Sequence, residues 1–243
     1  MEESLTLNYL NRPHFQEIMH ILITDFQGNP NVGLYGFATD EYCLLGKDVS
    51  EEKAEEISKV LKVPTHRINI CGTSLVGVFV TGNTNKLLVP SIAFESELKV
   101  LEKLKIDYEV IETKLTALGN NILCNDNGAL VNPDFPATVK KRIRQALNVQ
   151  LKPGTIARMH NVGSLSISHQ SKCVIHRDAD KEDMEIISEL LNLEVELGTV
   201  NMGSPYLRSG IICNSNGFIV GESSGGPEIA QLDESLGFLD EEL

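Results

Sequence analysis

Short apolar runs alternate along the whole chain with small polar turns and with stretches of helical periodicity. Five of the polar turns share one pattern, because each is followed directly by a further apolar run. The residues just before that run are Tyr42, Lys86, Gly128, Lys172 and Gly217, spaced 44, 42, 44 and 45 residues apart. Self-similarity at a fixed period is the signature of repeat architectures, so the spacing predicts five copies of one unit.

Each copy contains three β-like runs followed by a helical pattern. Apolar residues recur in these patterns at helical spacing, which predicts that one face of each helix is buried. The predicted faces are Ala54, Ile57 and Leu61; Phe94, Leu98, Leu101 and Leu104; Val139, Ile143, Ala146 and Leu147; Met184, Ile187 and Leu191; and Ile229, Leu232 and Leu236. Ser50, Asp180 and Pro227 stand where a cap or first helical residue is expected.

Glycines mark two further positions in the repeat. A glycine nine residues before the turn residue is expected to open the second β run, and in the fifth copy it is shifted to Gly210. The other four are Gly33, Gly77, Gly119 and Gly163. The sequences 126–128 (DNG) and 215–217 (SNG) predict hairpin turns, since Asn and Gly tolerate the positive φ of tight β-turns.

A βββα unit of about 44 residues cannot bury both its sheet face and its helix, so neighbouring units must share a core. A linear array needs polar ends, whereas the fifth copy keeps its apolar helix. We therefore predict an α/β fold, a closed five-module ring with sheets around the axis and helices outside. The predicted organisation is a leader, residues 1–18, either disordered or a start-site artefact, and one domain, 19–243, with repeats 19–62, 63–106, 107–148, 149–193 and 194–243.

Composition limits the classes of function. The net charge of −13 argues against binding of nucleic acid mainly through neutralisation of phosphates, and it favours a basic protein as the partner. The five cysteines form no CxxC pair and are odd in number, which indicates reduced thiols in a cytosol. The chain begins without a signal-peptide pattern and contains no run of about 18 apolar residues, so we expect a soluble, non-exported protein with no membrane contact.

The loops between the first and second β runs are rich in small and amide-bearing residues. They are GNPNVG (28–33), GTSLVG (72–77), LTALGN (115–120), HNVGS (160–164) and GTVNMGS (198–204). In a ring, all five fall at one pole. They either leave hydrogen-bonding groups free for a partner or merely satisfy tight turns.

Three segments carry a resemblance to a known family. LTALGNNILCNDNGALVNP (115–133), GTVNMGS (198–204) and GNPNVGLYGFATDEYCLL (28–45) resemble the archaeal and eukaryotic translation initiation factor 6 family, whose members are ribosome anti-association factors. The resemblance runs from about Met19 to the end of the chain. The chain ends soon after the fifth helix, as in archaeal members, without the long tail of eukaryotic ones.

The resemblance implies a pentein fold, five modules around a pseudo-fivefold axis, and a cytoplasmic protein that binds the large ribosomal subunit. Bound factor blocks joining of the small subunit by steric exclusion, and members also act in large-subunit maturation. The implied partner is mainly a ribosomal protein near the sarcin–ricin loop, with a possible minor contact to rRNA. A closed ring leaves no exposed sheet edge, so we expect a monomer.

The family's pole loops match Asn120 after Gly119, Ser164 after Gly163 and Ser204 after Gly203. Asn29 and Ser74 are added by the internal repeat alone. The full set of predicted ribosome-binding residues is Asn29, Ser74, Val78, Gly119, Asn120, Ser164, Asn201, Gly203, Ser204 and Tyr206.

The competing class is a pentein enzyme that modifies guanidino groups with a nucleophilic Cys and a His base. Cys43, Cys124, Cys173 and Cys213 lie in or beside aliphatic β runs, so they are expected to be small core residues. None of the six histidines, including His160 in a pole loop, stands in a catalytic motif. We predict no enzyme, no cofactor and no metal site, and a Cys and a His meeting in a central pocket would favour the enzyme instead.

One basic cluster stands out in this acidic chain, on the third predicted helix. It is formed by Lys140, Lys141, Arg142 and Arg144. It is either the solvated face of the helix, opposite Val139 and Ile143, or a contact with rRNA.

Overall fold

The structure, a computed structural model, describes residues 20–169 and 171–239, so the predicted leader lies outside it. The strands are β1 Ile21–Thr24, β2 Gly36–Ala38, β3 Cys43–Gly46, β4 Thr65–Ile68, β5 Thr81–Gly82, β6 Leu87–Pro90, β7 Tyr108–Ile111, β8 Ile122–Cys124, β9 Gly128–Val131, β10 Gln150–Pro153, β11 Ser166–His169, β12 Lys172–His176, β13 Glu194–Gly198, β14 Ile211–Asn214 and β15 Gly217–Gly221. The helices are α1 Glu51–Leu61, α2 Val76–Phe79, α3 Glu95–Lys103, α4 Leu118–Asn121, α5 Ala137–Leu147, α6 Lys181–Leu191, α7 Leu207–Gly210 and α8 Gly226–Ser235, with a 3₁₀ turn at Val32–Leu34.

The strands form five three-stranded sheets of one design. A hairpin supplies two antiparallel strands, and a third strand lies parallel to the second hairpin strand. The sheets are β2-β3-β4, β5-β6-β7, β8-β9-β10, β11-β12-β13 and β14-β15-β1. In the first four, a long helix makes the crossover that a parallel pair requires. In the fifth, β1 pairs with β15 in the register Ile21↔Phe218, and this pairing closes the ring.

The predicted fold class, an α/β ring of five similar modules, is confirmed by these sheets. In the first four sheets the third strand follows the long helix, so β4 begins at Thr65, in what the sequence assigns to the second repeat. Neighbouring repeats therefore share their cores by exchanging a strand. The repeat boundaries themselves stay predictions.

The long helices bury the faces that their periodicity predicts, with one exception. Ile57, Leu61, Ile143 and Leu147 are fully buried, and each fully buried aliphatic side chain contributes about 1.5–3 kcal/mol. Phe94 is the exception, because it is the N-cap residue of α3 and is 57% exposed. Its expected place on the buried face was wrong, since a residue at the N-cap precedes the first helical turn.

The predicted helix starts are confirmed. Ser50 caps α1, and its Oγ accepts a hydrogen bond from Lys53 N at 3.2 Å. Asp180 caps α6 and accepts from Asp183 N at 3.0 Å. Pro227 lies in the first turn of α8. Within the described residues, no helix is both long and apolar enough to cross a membrane.

The repeated glycines do not open the second strand, contrary to the prediction. They lie in the short turns just before it, helical in three of the four modules, where the modules touch backbone to backbone. A Cβ on Gly77 would overlap the carbonyl oxygen of Gly33, and one on Gly119 would overlap that of Gly77. The fifth equivalent position is Arg208 rather than Gly210, because a Cβ on Gly33 would meet the Arg208 carbonyl oxygen.

The predicted positive φ in the hairpin turns was also wrong. Neither Asn127 nor Gly128 has a positive φ; instead, Asn125 Oδ1 accepts from both of their amides, at 2.9 and 3.0 Å. Gly128 is required for space, since a Cβ there would overlap the Leu190 carbonyl oxygen. The equivalent Gly217 lies as close to the His20 carbonyl.

Asparagines in the hairpins also tie neighbouring modules together. The Nδ2 group of the first asparagine in a turn donates to a carbonyl at the end of the next module's helix, which would otherwise lack a donor. The pairs are Asn83 with Leu147 at 3.0 Å, Asn125 with Leu191 at 2.7 Å, and Asn214 with Leu61 at 2.9 Å.

Candidate docking site

The five loops predicted as a docking surface lie at one end of the ring. In each sheet the central strand runs from the hairpin turn towards the following helix, and the parallel third strand ends at the same side. We call this end the loop pole; it comprises residues 25–35, 69–79, 112–121, 154–165 and 199–210. The opposite end, with the turns between the antiparallel strands, is the hairpin pole. The long helices also begin at the loop pole.

Four of these loops begin with a tight turn built on consecutive residues of positive φ. The pairs are Gln27 and Gly28, Cys71 and Gly72, Ala157 and Arg158, and Asn201 and Met202 with Gly203. Backbone bridges close these turns, at Phe26↔Asn29, Ile70↔Thr73, Ile156↔Met159 and Val200↔Ser204. Such turns direct consecutive amide groups to one side, and those amides need an acceptor.

Acidic side chains in the first turns of three helices supply that acceptor. The Glu97 carboxylate on α3 accepts from Cys71 N and Gly72 N, both at 2.8 Å, and from Phe94 N at 2.9 Å. Asp183 on α6 accepts from Ala157 N at 2.8 Å. Charge-assisted hydrogen bonds of this kind are worth about 1.5–3 kcal/mol each and fix the loops in place.

The third anchor is Glu228 on α8, which accepts from Met202 N at 3.1 Å and Gly203 N at 2.9 Å. Sequence reasoning missed all three anchors. A signal was present, because each carboxylate stands 26 residues after an amide that it accepts from. An acidic residue at a constant spacing after a small-residue loop therefore indicates a carboxylate that anchors the loop.

The predicted site residues differ in what they expose. Tyr206 is 44% exposed. Ser74, Gly119 and Ser164 are buried, and Ser164 Oγ donates to Asn161 O at 2.9 Å. The partly buried remainder comprises Asn29, Val78, Asn120, Asn201, Gly203 and Ser204. The buried residues therefore shape the loop pole, while the exposed and partly buried ones present side chains at its surface.

Several predicted residues are brought together across module boundaries. The Asn120 carbonyl accepts from Gly163 N at 3.0 Å and Ser164 N at 3.2 Å, which joins the third and fourth modules. Asn201 Nδ2 donates to Pro30 O at 2.9 Å, which joins the fifth module to the first, beside Asn29. Ser74 contacts the first module instead, where its Oγ accepts from Asp48 N at 3.2 Å.

Large apolar side chains at the loop pole were missed by sequence reasoning. Met202 is 86% exposed at the tip of its turn, next to Gly203. Ile92 and Phe94, just before α3, are 48% and 57% exposed. Periodicity placed Phe94 in the core, and nothing in the sequence distinguished Met202 from a buried methionine.

The cysteines do not provide a nucleophile at neutral pH. The five described cysteines are free, as expected. Burial raises the pKa of the Cys124 thiol to about 11 and that of Cys213 to about 12. Both thiols line the channel along the axis and stay protonated, whereas thiolates are the reactive form. The described residues lining this channel include no histidine.

The pole-loop histidine, His160, lies at the surface and does not line the axial channel. His160 Nδ1 lies 2.7 Å from Asp134 Oδ2, and both side chains are at least half exposed. This pair is a surface contact between the third and fourth modules. Over residues 20–169 and 171–239, no three His, Cys, Asp or Glu side chains are grouped closely enough to hold a metal ion.

Comparison with known proteins gives a family and a fold. The sequence model of the eIF-6 family matches residues 21–235. The chain is 37% identical over 227 residues to translation initiation factor 6 of Pyrococcus horikoshii and 40% identical over 230 residues to that of Pyrococcus furiosus. Each alignment covers 91% of this chain and 100% of the relative.

A solved structure shares the fold. The substrate-bound N-terminal domain of ArgZ, a cyanobacterial arginine dihydrolase, aligns with a TM-score of 0.50 at 8% identity, over 80% of this chain and 73% of that domain. At this identity the likeness concerns the fold alone.

Proposed function

The chain belongs to the eIF-6 family, and from that premise we propose that it binds the large ribosomal subunit through its loop pole and so prevents the small subunit from joining. Family membership places it among translation initiation factors, which are not enzymes. The observation that carries the proposal is the similarity to factors of this name along nearly their whole length.

The geometry of the loop pole supports a docking role. The carboxylates of Glu97, Asp183 and Glu228 fix the turns before any partner arrives, so less conformational entropy is lost on binding. Met202 and Tyr206 offer exposed side chains of the apolar and aromatic kind that dominate binding energy at interfaces. The ring then acts by bulk, and no chemistry is required.

The partner that fits this surface is a basic ribosomal protein, which we propose lies near the sarcin–ricin loop of the large subunit. The net charge of −13 favours such a partner over bare RNA. A cytoplasmic location and a second role in large-subunit maturation belong to the same proposal.

The basic cluster of α5 is proposed only as a minor rRNA contact. Lys140 Nζ already donates to Pro133 O at 2.7 Å, and Arg142 pairs with Glu109. Lys141 and Arg144 are exposed on the outer wall. Replacing Lys141 and Arg144 by Ala should weaken subunit binding and reduce its salt dependence. Unchanged affinity and salt slope would assign the cluster to the solvated helix face.

Sedimentation tests the function. Purified large subunits are incubated with the protein, mixed with small subunits, and separated on a sucrose gradient. We expect the protein to migrate with the large subunit and the joined particle to decrease as protein is added. The proposal fails if the protein stays at the top of the gradient and joining is unaffected.

A further inference from the structure

A narrow channel runs along the axis of the ring and ends at one arginine. Its volume is about 80 Å³, and the first hairpin strand of every sheet contributes to its wall. The polar side chains that line it are Thr81, Cys124, Ser166, Ser168, Arg208 and Cys213. A site for one water needs roughly 10–15 Å³ of such volume, so the channel has room for several small species.

Arg208 reaches across the axis from the fifth module to the second. Its Nε donates to Gly77 O at 3.2 Å and its Nη2 donates to Val80 O at 3.1 Å. The guanidinium carbon lies 5.8 Å from the centre of the Phe37 ring. These contacts fix the guanidinium at the loop-pole end of the channel.

The positive charge of Arg208 is not balanced by the protein. Among the described residues, no carboxylate forms an ion pair with it, and its Nη1 makes no hydrogen bond. Guanidinium does not lose its proton in proteins. Arg208 is partly buried, and a partly buried cation without a counterion is costly because it loses part of its solvation by water.

The neighbouring thiols do not supply the missing negative charge. Burial raises the pKa of both Cys124 and Cys213, so both are neutral at physiological pH. The Ser168 hydroxyl, which lines the same channel, donates to no described group and adds a free donor. The channel therefore combines a fixed cation with a donor and lacks an anion.

Packing does not require an arginine at this position. The four equivalent positions are glycines, Gly33, Gly77, Gly119 and Gly163, and those modules close around the axis without a side chain. The fifth module alone places a long charged side chain there. The arginine is therefore a feature added to the ring rather than a requirement of it.

We propose that the axial channel binds a small inorganic anion of the size of chloride, held by Arg208 Nη1 and the hydroxyl groups of the channel wall. Its volume admits a monatomic anion and excludes nucleotides. Asp40 and Asp126 lie in hairpin turns near its mouth and repel multiply charged anions. A bound anion would neutralise Arg208 and stabilise the contact of the fifth module with the second.

The test uses the purified chain without ribosomes, so its result is independent of the proposed function. Chloride is titrated into protein held in gluconate, an anion too large for the channel, and the chloride NMR line width and thermal midpoint are measured. We expect saturable broadening and a rise in the midpoint for the natural chain. Arg208→Gly, which copies the other four modules, should lose both effects, while the exposed control Arg158→Ala should retain them.

Crystals grown in bromide provide a second test that needs no variant. Anomalous scattering should place one bromide in the channel within hydrogen-bond distance of Arg208 Nη1. An empty channel in such crystals would overturn the proposal, as would equal chloride responses from the natural chain and Arg208→Gly. Bromide only at the outer surface counts against the site as well.

Discussion

The side-chain amide of Asn201 donates from Nδ2 to the carbonyl oxygen of Pro30 at 2.9 Å, across 171 residues of sequence. The backbone N–H of Asn201 donates to Ser224 Oγ at 2.9 Å. These bonds lie where the last module meets the first, on the loop-pole side of the β1–β15 pairing. One side chain therefore serves both the closure of the ring and the shape of the candidate site.

Asn201→Ala should destabilise the fold, because it leaves the Pro30 carbonyl without its donor. The expected loss is about 1–3 kcal/mol in the free energy of unfolding, measured by urea denaturation. Met202→Ala, next in sequence but 86% exposed, is the matched control and should change stability by less than about 0.5 kcal/mol. Equal stability of the two variants would contradict a stabilising role of Asn201 in the closure of the ring.

Gly119→Ala should be among the most damaging small substitutions. Its Cβ would overlap the backbone carbonyls of Gly77 and Val80, which cannot move without shifting the second module. We expect a loss of about 3 kcal/mol in the free energy of unfolding. Gly226→Ala is the control, since no atom lies within 4 Å of its added Cβ, and it should be neutral or stabilising by about 0.4–1 kcal/mol. Similar effects of both substitutions would contradict the close contact between modules.

The period, the ring and the helix faces could be predicted from the sequence, because each depends on the spacing of apolar residues. The exchange of a strand between neighbouring modules could not be predicted, because the apolar pattern of β4 is the same whichever sheet the strand joins. Gly119 shows the limit at the site: a glycine in a polar loop fits both a partner contact and a backbone contact, and only packing distinguishes them. Ser74 and Ser164 are ambiguous for the same reason, because their hydroxyl groups bond to the chain itself.

His176 should make stability depend on pH. The side chain is 5% exposed, and Nδ1 accepts from Asp178 N at 3.0 Å, which requires the neutral ring. Burial lowers its pKa, the negative charge of Asp178 partly offsets this, and the positive charge of Arg177 adds a smaller lowering effect. The unfolded chain then binds a proton more readily, so stability is complete above the ordinary histidine pKa of about 6.5 and falls as the pH drops below it.

Asn132, the residue of the third module equivalent to His176, suggests a variant that tests this prediction. Asn132 Oδ1 accepts from Asp134 N at 2.8 Å, in the same geometry. His176→Asn should therefore match the natural chain at pH 7.5 and lose less stability at pH 5, as measured by denaturation at both values. His160→Asn, an exposed histidine, should leave the pH dependence unchanged. If His176→Asn and the natural chain lose the same stability on acidification, His176 is not the group responsible.

Binding of loop-pole variants to the large subunit tests the central claim most directly. Met202→Glu combined with Tyr206→Ala changes only exposed side chains at the loop pole, and Val100→Glu places the same charge at an exposed apolar residue on the outer face of α3. By cosedimentation, the loop-pole variant should bind at least about tenfold more weakly, and Val100→Glu should bind like the natural chain. Undiminished binding of the loop-pole variant, with its fold intact, would contradict the assignment of the docking surface.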